Sequence, residues 1–236
     1  MNSRQRKILY AIIREHQKTG QPVASQVLVE RYNFDLSPAT IRSEMLALDE
    51  EELLLQPHHS AGRVPTTKAY RFLVDRLLKE RESYMRGQEQ LRKNFERVTP
   101  GNMFFYQVAQ MLATFSNNLG MSGFFGQGES DFHEAGLASL LSDSELCRPE
   151  SVIDILRGFE EMERKFTDFF GELNGKTKVF IGEENPIDDF ERCSLVISGY
   201  KTGAKKGFIG ILGPKRMNYA RNIFLVEETK KVIENS

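Results

Sequence analysis

The sequence predicts an α+β protein in which a small helical domain precedes a larger domain built on an antiparallel sheet. Residues 1–66 contain three short amphipathic patterns followed by two strand-like segments. Residues 99–236 alternate apolar helical patterns with strand-like segments bounded by glycine, proline and asparagine. A chain of 236 residues is long enough to form two such domains, each with its own hydrophobic core.

Composition and charge restrict the class of protein. The net charge is -1 at pH 7, so any nucleic-acid binding has to come from a local basic surface. The N-terminal residues are too polar for a signal peptide, and no apolar run approaches the ~20 residues of a membrane span, so we expect a cytoplasmic protein. Cys147 and Cys193 have no metal-binding spacing, and we expect both to be reduced and buried.

Three helices are predicted in the first 50 residues. The first covers residues 3–18 and is stopped by Thr19-Gly20, and the second covers about 25–32. Ser37-Pro38 supplies an N-cap and a proline at the first helical position, a strong start signal for the third. The residues expected to face the core recur at helical spacing: Ile8, Leu9, Ile12, Ile13, Val27, Leu28, Tyr32, Ile41, Met45 and Leu48.

Two short strands joined by a polar loop follow the third helix. Leu53–Gln56 and Val64–Pro65 are strand-like, and the segment PHHSAGR between them has a glycine near its tip. Three helices, a strand, a loop and a second strand are the element order of a winged helix, a relative of the helix-turn-helix domain. In that fold the third helix enters the major groove and the loop forms a wing that reaches phosphates or the minor groove.

This order predicts a DNA-binding surface with two parts. The recognition-helix candidates are Ser37, Thr40, Arg42 and Ser43, and the wing candidates are His58, His59, Ser60, Gly62 and Arg63. An arginine can pair with guanine O6 and N7, hydroxyl groups can contact bases or phosphates, and a glycine lets the backbone come close to a phosphate. We expect the acidic run over residues 49–52 to lie away from the DNA.

Other interpretations of these residues stay open. Adjacent histidines are usually surface residues, and a zinc pair is more naturally spaced three or four apart on a helix with further ligands nearby, so we expect no metal or cofactor. Arg42 could instead form a surface ion pair with Glu44, Asp49 or another acidic residue. Some winged helices bind only proteins, in which case Arg42 and Arg63 could be replaced without effect on nucleic-acid binding.

The rest of the chain predicts a linker and a second domain. Residues 67–97 have the pattern of one long helix with a highly charged middle, which gives predicted boundaries at 1–78, 79–98 for an exposed linker helix, and 99–236. The expected elements of the last part are a helix from Thr99-Pro100, a strand around Phe124-Phe125, a helix over Pro149–Leu173, strands over 178–181, 194–200 and 207–212, and a helix from about Asn218.

No catalytic site is predicted in the second domain. The segment GAKKGFIGILGPKR contains glycines and basic residues but lacks the spacing of a phosphate-binding loop, so a buried strand between turns describes it better. The acidic pairs Glu183-Glu184 and Asp188-Asp189 are typical of solvated turns. Cys193 next to a strand is typical of a core position. We therefore expect a protein that is not an enzyme.

Several long motifs resemble one known family, in the same order along the chain. They are TGQPVASQVL at 19–28, LSPATIRSEMLAL at 36–48, LLLQPHHSAGRVPTTKAYRFLVD at 53–75, GLASLLSDSEL at 136–146, IGEEN at 181–185 and GFIGILGPKRMNYARNIFLVE at 207–227. These segments resemble HrcA, the bacterial heat-inducible transcription repressors. The departures are mild, such as Ala24 for a usual glycine and His59 for a usual threonine.

The resemblance implies a fold, partners and a regulatory role. It implies a GAF-like C-terminal domain, binding to an inverted-repeat operator of the CIRCE type, and repression of chaperone operons that heat releases and the GroE chaperonin restores. Because two-fold operators are bound by two-fold dimers, we expect a homodimer. Members of the family are usually much longer, so the inserted dimerising domain is expected to be reduced or absent near residues 120–132.

One rival function from another class remains. The protein could be a winged-helix regulator whose GAF-like domain binds a small molecule and thereby changes the affinity for DNA. A saturable shift in melting temperature with a small molecule would favour that function.

Overall fold

The computed structural model describes residues 1–80, 103–126, 129–173, 175–202 and 205–235. The chain divides into two compact units, Met1–Lys79 and Glu80–Ser236. The first combines helices with a two-stranded ribbon, and the second combines helices with a five-stranded antiparallel sheet, so the predicted α+β class is confirmed. The predicted linker helix over 79–98 and the helix start at Thr99-Pro100 fall largely outside the described residues.

The N-terminal unit contains four helices and the ribbon. They are α1 (Ser3–Thr19), α2 (Ser25–Tyr32), α3 (Pro38–Glu50), β1 (Leu54–Leu55), β2 (Val64–Pro65) and α4 (Thr67–Lys79). The side chain of Asn2 caps α1, and Gly20, at φ 66°, ends it in the left-handed conformation that favours glycine. The predicted core positions of α1, α2 and α3 are buried except for Val27 and Tyr32, which are half-buried.

The ribbon is extended beyond β1 and β2 by the segment that precedes α2. Leu54 and Leu55 pair antiparallel with Pro65 and Val64. Val23 and Arg63 then exchange two backbone hydrogen bonds of 2.9 Å each. The end of the loop over residues 56–63 is therefore held in place, because Arg63 is hydrogen-bonded to Val23 in the segment that precedes α2.

The C-terminal unit is a sheet of order β4-β3-β7-β6-β5 with every neighbouring pair antiparallel. Its elements are α5 (Phe104–Ser116), β3 (Leu119–Gly126), β4 (Glu129–Ala135), α6 (Leu137–Leu141), α7 (Pro149–Leu173), β5 (Thr177–Ile181), β6 (Cys193–Thr202), β7 (Lys205–Pro214) and α8 (Tyr219–Glu234). Strand β4 was not predicted, because its polar sequence ESDFHEA lacks the apolar alternation that indicates a strand.

Alternate residues of the central strands face opposite layers of this unit. One face carries an apolar cluster that includes Leu119, Leu195 and Phe208 and that continues into α7 through Ile155. On the other face, Ser122 Oγ donates to the carbonyl oxygen of Phe105 in α5 at 2.6 Å. The sheet therefore has helices on both faces.

Two predicted motif segments have a structural role. Asn185, the last residue of the motif IGEEN, is buried and places Nδ2 within 3.0 Å of the carbonyl oxygens of Gly182, Phe190 and Cys193. Arg216 of the last motif forms an ion pair with Asp143 at 2.5 Å. Burial, and secondly the charge of Asp143, raises the pKa of the nearby Glu145 carboxyl. Asn185 connects neighbouring turns within residues 182–193, whereas Arg216 and Asp143 join segments that are distant in sequence.

The expectation that both cysteines are buried is wrong for Cys147. Cys193 is fully buried on β6, whereas Cys147 is exposed in the connection between α6 and α7. Burial, with a smaller contribution from Asp143, raises the pKa of the Cys193 thiol to about 12. Sequence position alone did not distinguish a cysteine next to a strand from one in a surface connection.

This difference predicts the reactivity of the two thiols. At pH 8 a thiol reagent is expected to label one cysteine per native chain and two in denaturant, because the Cys193 thiol is both inaccessible and protonated. Reagent absorbance gives the count, and Cys147→Ser should abolish the native signal. Two labelled thiols in the native chain would contradict the burial of Cys193.

Among the described residues, no helix is both long and apolar enough to cross a membrane.

Candidate nucleic-acid interface

A cleft of about 740 Å³ lies between α3 and the loop over residues 56–63. It brings six of the nine predicted site residues together: Arg42, Ser43, His59, Ser60, Gly62 and Arg63. The other lining residues are Ala24, Ser25, Ala39, Met45, Leu46, Gln56 and Ala61. Ser37, Thr40 and His58 do not line the cleft.

Ser37 and Thr40 form the N-terminal cap of α3. Ser37 Oγ accepts a hydrogen bond from the Thr40 backbone N–H at 3.1 Å and lies 2.9 Å from Thr40 Oγ1. This cap satisfies one of the backbone donors that a helix start leaves without a partner. It fixes where α3 begins, and so fixes the position of the exposed residues one turn later.

Arg42 is exposed on α3 and has no hydrogen bond or ion pair within the described residues. Its two expected acidic partners are engaged elsewhere, since Glu44 lies 3.4 Å from Arg4 Nη1 and Asp49 pairs with Arg63. The surface ion pair considered for Arg42 therefore does not form here. Its guanidinium is available to an anionic or hydrogen-bonding partner in the cleft.

The loop is held in shape by its own backbone and by Gln56. The Ala61 N–H donates to the carbonyl oxygen of His58 at 2.9 Å, which closes a tight turn. Gln56 Nε2 donates to the carbonyl oxygens of His59 and Ala61, at 2.9 and 3.0 Å. Gln56 was not among the predicted site residues, although a side-chain amide next to a glycine-containing loop is a signal for such bracing.

Gly62 is required by the packing of the loop on the segment before α2. A Cβ atom at this position would lie 2.3 Å from both the carbonyl carbon and the oxygen of Val23, which are backbone atoms and cannot move aside. The structure thus gives a packing reason for this glycine. The close approach of its backbone to a phosphate stays a prediction.

Arg63 is directed at α3. Its Nε lies 3.0 Å from Asp49 Oδ2, as an ion pair without an aligned hydrogen bond, and its side chain is only 13% exposed. Arg63 therefore joins the end of the loop to the end of α3. Its contact with phosphate stays a prediction, and any phosphate would have to share the guanidinium with Asp49.

This ion pair predicts coupled effects on stability. Arg63→Ala and Asp49→Ala should each lower the free energy of unfolding, and the double variant should lose less than the sum by about 1 kcal/mol, because the pair is mostly shielded from water. Urea denaturation of the four proteins measures this coupling. Lys68→Ala is the control, since Lys68 forms an exposed pair with Glu52 at 3.0 Å. Additive effects of the two substitutions would contradict the pairing.

Leu46 is a cleft residue that sequence analysis did not select. Its side chain is 51% exposed and lines the cleft, one helical turn after Arg42. The sequence contained a signal, because Leu46 falls outside the buried stripe formed by Ile41, Met45 and Leu48. An apolar side chain on a polar helix face indicates a contact with another molecule or a tolerated surface leucine.

No group of three or more His, Cys, Asp or Glu side chains could hold a metal ion within the described ranges. The cleft offers hydrogen-bond donors and a large exposed apolar side chain: the Arg42 guanidinium, the Ser43 and Ser60 hydroxyls, the His59 ring and Leu46. Such a set can contact phosphates and base edges. It lacks the carboxylate–histidine arrangement of a hydrolytic site.

Comparison with known proteins gives the family. The family model described as the HrcA protein C terminal domain matches residues 67–223, which is more than half of the chain. The chain belongs to the HrcA family. The resemblance found in the sequence motifs is thereby confirmed.

Curated relatives cover both units of this HrcA chain. The heat-inducible transcription repressor HrcA of Carboxydothermus hydrogenoformans is 27% identical over 334 aligned positions, which cover 99% of this chain and 97% of the relative. HrcA of Natranaerobius thermophilus is 26% identical over 326 positions, covering 97% and 94%. Both alignments have more positions than the chain has residues, so these HrcA relatives contain segments without a counterpart here.

One solved structure shares the fold along the whole HrcA chain. A crystal structure of a hypothetical protein, determined at 2.2 Å resolution, superposes with a TM-score of 0.76 at 21% sequence identity and covers 100% of this chain and 99% of its own. At this identity the similarity concerns the fold alone.

Proposed function

We propose that this chain is a DNA-binding transcriptional repressor of heat-shock genes. Membership of the HrcA family supports the role, since the curated relatives are named heat-inducible transcription repressors. The observation that carries the proposal is the cleft, where Arg42, which has no partner among the described residues, lies on one helix opposite a braced polar loop. Because the target is DNA, we also propose that the protein acts in the cytoplasm.

The N-terminal unit acts in this proposal as a winged helix. Helix α3 is the recognition helix, and residues 57–63 form the wing at the end of β1. Two observations support this assignment: the order of the elements, and the antiparallel bridge that pairs Val23 with Arg63 at the end of the wing. Both walls of the cleft would contact one duplex, with α3 in the major groove and the wing on the backbone or in the adjacent minor groove.

Each wall has a separate task in DNA binding. Arg42 would pair with a guanine through its two parallel N–H donors, and Ser43 would contact a base or phosphate beside it. Ser60 and His59 would donate to phosphates, which fixes the register without selecting sequence. With a net charge of -1 the chain as a whole does not attract DNA electrostatically. The affinity for the duplex therefore has to come from these local donors.

A homodimer on an inverted-repeat operator of the CIRCE type completes the proposal. Two-fold operators require two copies of the recognition helix in opposite orientation. The C-terminal unit would be GAF-like and would carry the dimer contacts, with the inserted domain of longer relatives reduced or absent near residues 120–132. Heat would release the repressor through loss of its marginal stability, and the GroE chaperonin would restore it.

Titration against two duplexes tests the function. The protein is expected to bind a CIRCE-type inverted repeat at least tenfold more tightly than a scrambled duplex of equal length, with two chains per repeat. Both titrations use the same near-physiological salt, because phosphate contacts make affinity steeply salt-dependent. Equal affinity for the two duplexes, with the chain shown to be dimeric in the same sample, would refute sequence-specific repression at this operator.

A further inference from the structure

Leu46 stands out among the α3 residues that line the cleft. It is 51% exposed, whereas Met45 is 3% and Leu48 is 0% exposed and both belong to the core. The other α3 side chains at the cleft, apart from Met45, are those of Ala39, Arg42 and Ser43. Leu46 is therefore the large apolar side chain that this helix presents to a partner in the cleft.

Helix geometry places Leu46 in line with Arg42. Leu46 is four positions after Arg42, so the two residues lie about 6 Å apart along the helix axis and on the same face of α3. Base pairs in a duplex repeat every ~3.4 Å along each strand. A helix lying along the major groove would therefore bring Leu46 to a base about two steps from the one that Arg42 contacts.

We propose that Leu46 recognises the C5-methyl group of a thymine in the major groove, about two base-pair steps from the contact of Arg42. This methyl is the apolar group that base pairs display in that groove. Covering it with a leucine removes apolar surface of both molecules from water. The inference rests on the proposed function and adds to it a base identity that the hydrogen-bonding residues of the cleft do not supply.

Leu55 provides a matched control within the same unit. It is 54% exposed on β1 and does not line the cleft. Single exposed leucines are ordinary on protein surfaces, so exposure alone assigns no role to either residue. The two leucines differ in whether they line the cleft, which makes Leu55→Ala a test of whether loss of any surface leucine has the same effect.

Deoxyuridine scanning of the inverted-repeat duplex tests the proposal, since uracil differs from thymine only by the C5-methyl group. Each thymine is replaced in turn, in both half-sites symmetrically, and affinity is measured by titration at fixed salt. The wild-type chain is expected to lose about threefold to tenfold per half-site at one thymine and little at the others. Leu46→Ala should bind the parent duplex more weakly by a similar factor and be insensitive to uracil at that position.

The control variants separate a base contact from a general loss. Leu55→Ala should keep the wild-type affinity and the wild-type uracil profile. Leu46→Met, which keeps the apolar surface, should keep the sensitivity to that thymine. The proposal is overturned if Leu46→Ala shows the same uracil profile as the wild type, or if no thymine methyl matters to a wild-type chain that does prefer the repeat. If the wild-type chain does not prefer the repeat over the scrambled duplex, the proposed function is refuted, and this inference is refuted with it.

Discussion

Arg42→Ala is expected to reduce sequence-specific DNA binding more than any other single exposed substitution in the N-terminal unit. Arg42 is exposed at the cleft, and its potential acidic partners are occupied by Arg4 and Arg63. A bidentate arginine–guanine contact contributes about 1–3 kcal/mol of discrimination. The loss should appear in titrations with the inverted repeat, and sequence choice should relax at one position of each half-site.

Two further variants make this result specific. Arg42→Lys keeps the positive charge but loses the planar pair of donors, so it should behave more like alanine than like the wild type. Arg14→Ala removes an exposed positive charge from α1, away from the cleft, and should leave the preference for the repeat intact. If Arg14→Ala and Arg42→Ala weaken binding equally, general charge explains the affinity and the base contact does not exist.

Asn185→Ala is expected to have the largest effect on stability. Its side chain is 7% exposed, and Nδ2 reaches three buried carbonyl oxygens, of which that of Gly182 also accepts from the Asn185 backbone N–H at 3.1 Å. Removing the donor should lower the free energy of unfolding by about 2–4 kcal/mol. Urea denaturation followed by circular dichroism measures the loss.

Asn185→Asp tests the same prediction with a residue of nearly the same shape. The carboxylate keeps the volume but has no N–H to donate, and it places negative charge beside three carbonyl oxygens. It should therefore destabilise the chain at least as much as alanine does. Asn235→Ala, at an exposed position near the end of α8, is the control and should have little effect. Full stability of Asn185→Asp would show that Asn185 acts by filling space.

Local signals in the sequence predicted much of the fold. The Ser37-Pro38 start, the Gly20 stop and the helical spacing of buried residues such as Ile41 depend on neighbours a few positions away. The helix over Pro149–Leu173 was predicted with its bounds, because a long apolar stripe leaves little ambiguity. Strand β4 was missed, since an edge strand with polar residues has no such stripe.

The sequence also predicted which residues gather at the cleft better than it predicted what each one does. Arg42 and Ser43 follow from their place on a helix. The role of Gly62 depends on Val23, and that of Arg63 depends on Asp49, both distant along the chain. Such pairings arise only when the ribbon folds onto the helices. Sequence patterns of period two or 3.6 contain no information about them.

Amide chemical-shift mapping would show directly whether the cleft of the N-terminal unit is the DNA-binding surface. The full chain is isotopically labelled and titrated with the inverted-repeat duplex, and the shifts of assigned backbone amides are followed. The largest changes are expected at the two walls of the cleft, at residues 39–46 of α3 and 56–63 of the loop. Changes concentrated on α1 or in the C-terminal unit, with the cleft unperturbed, would show that this chain binds DNA through another surface.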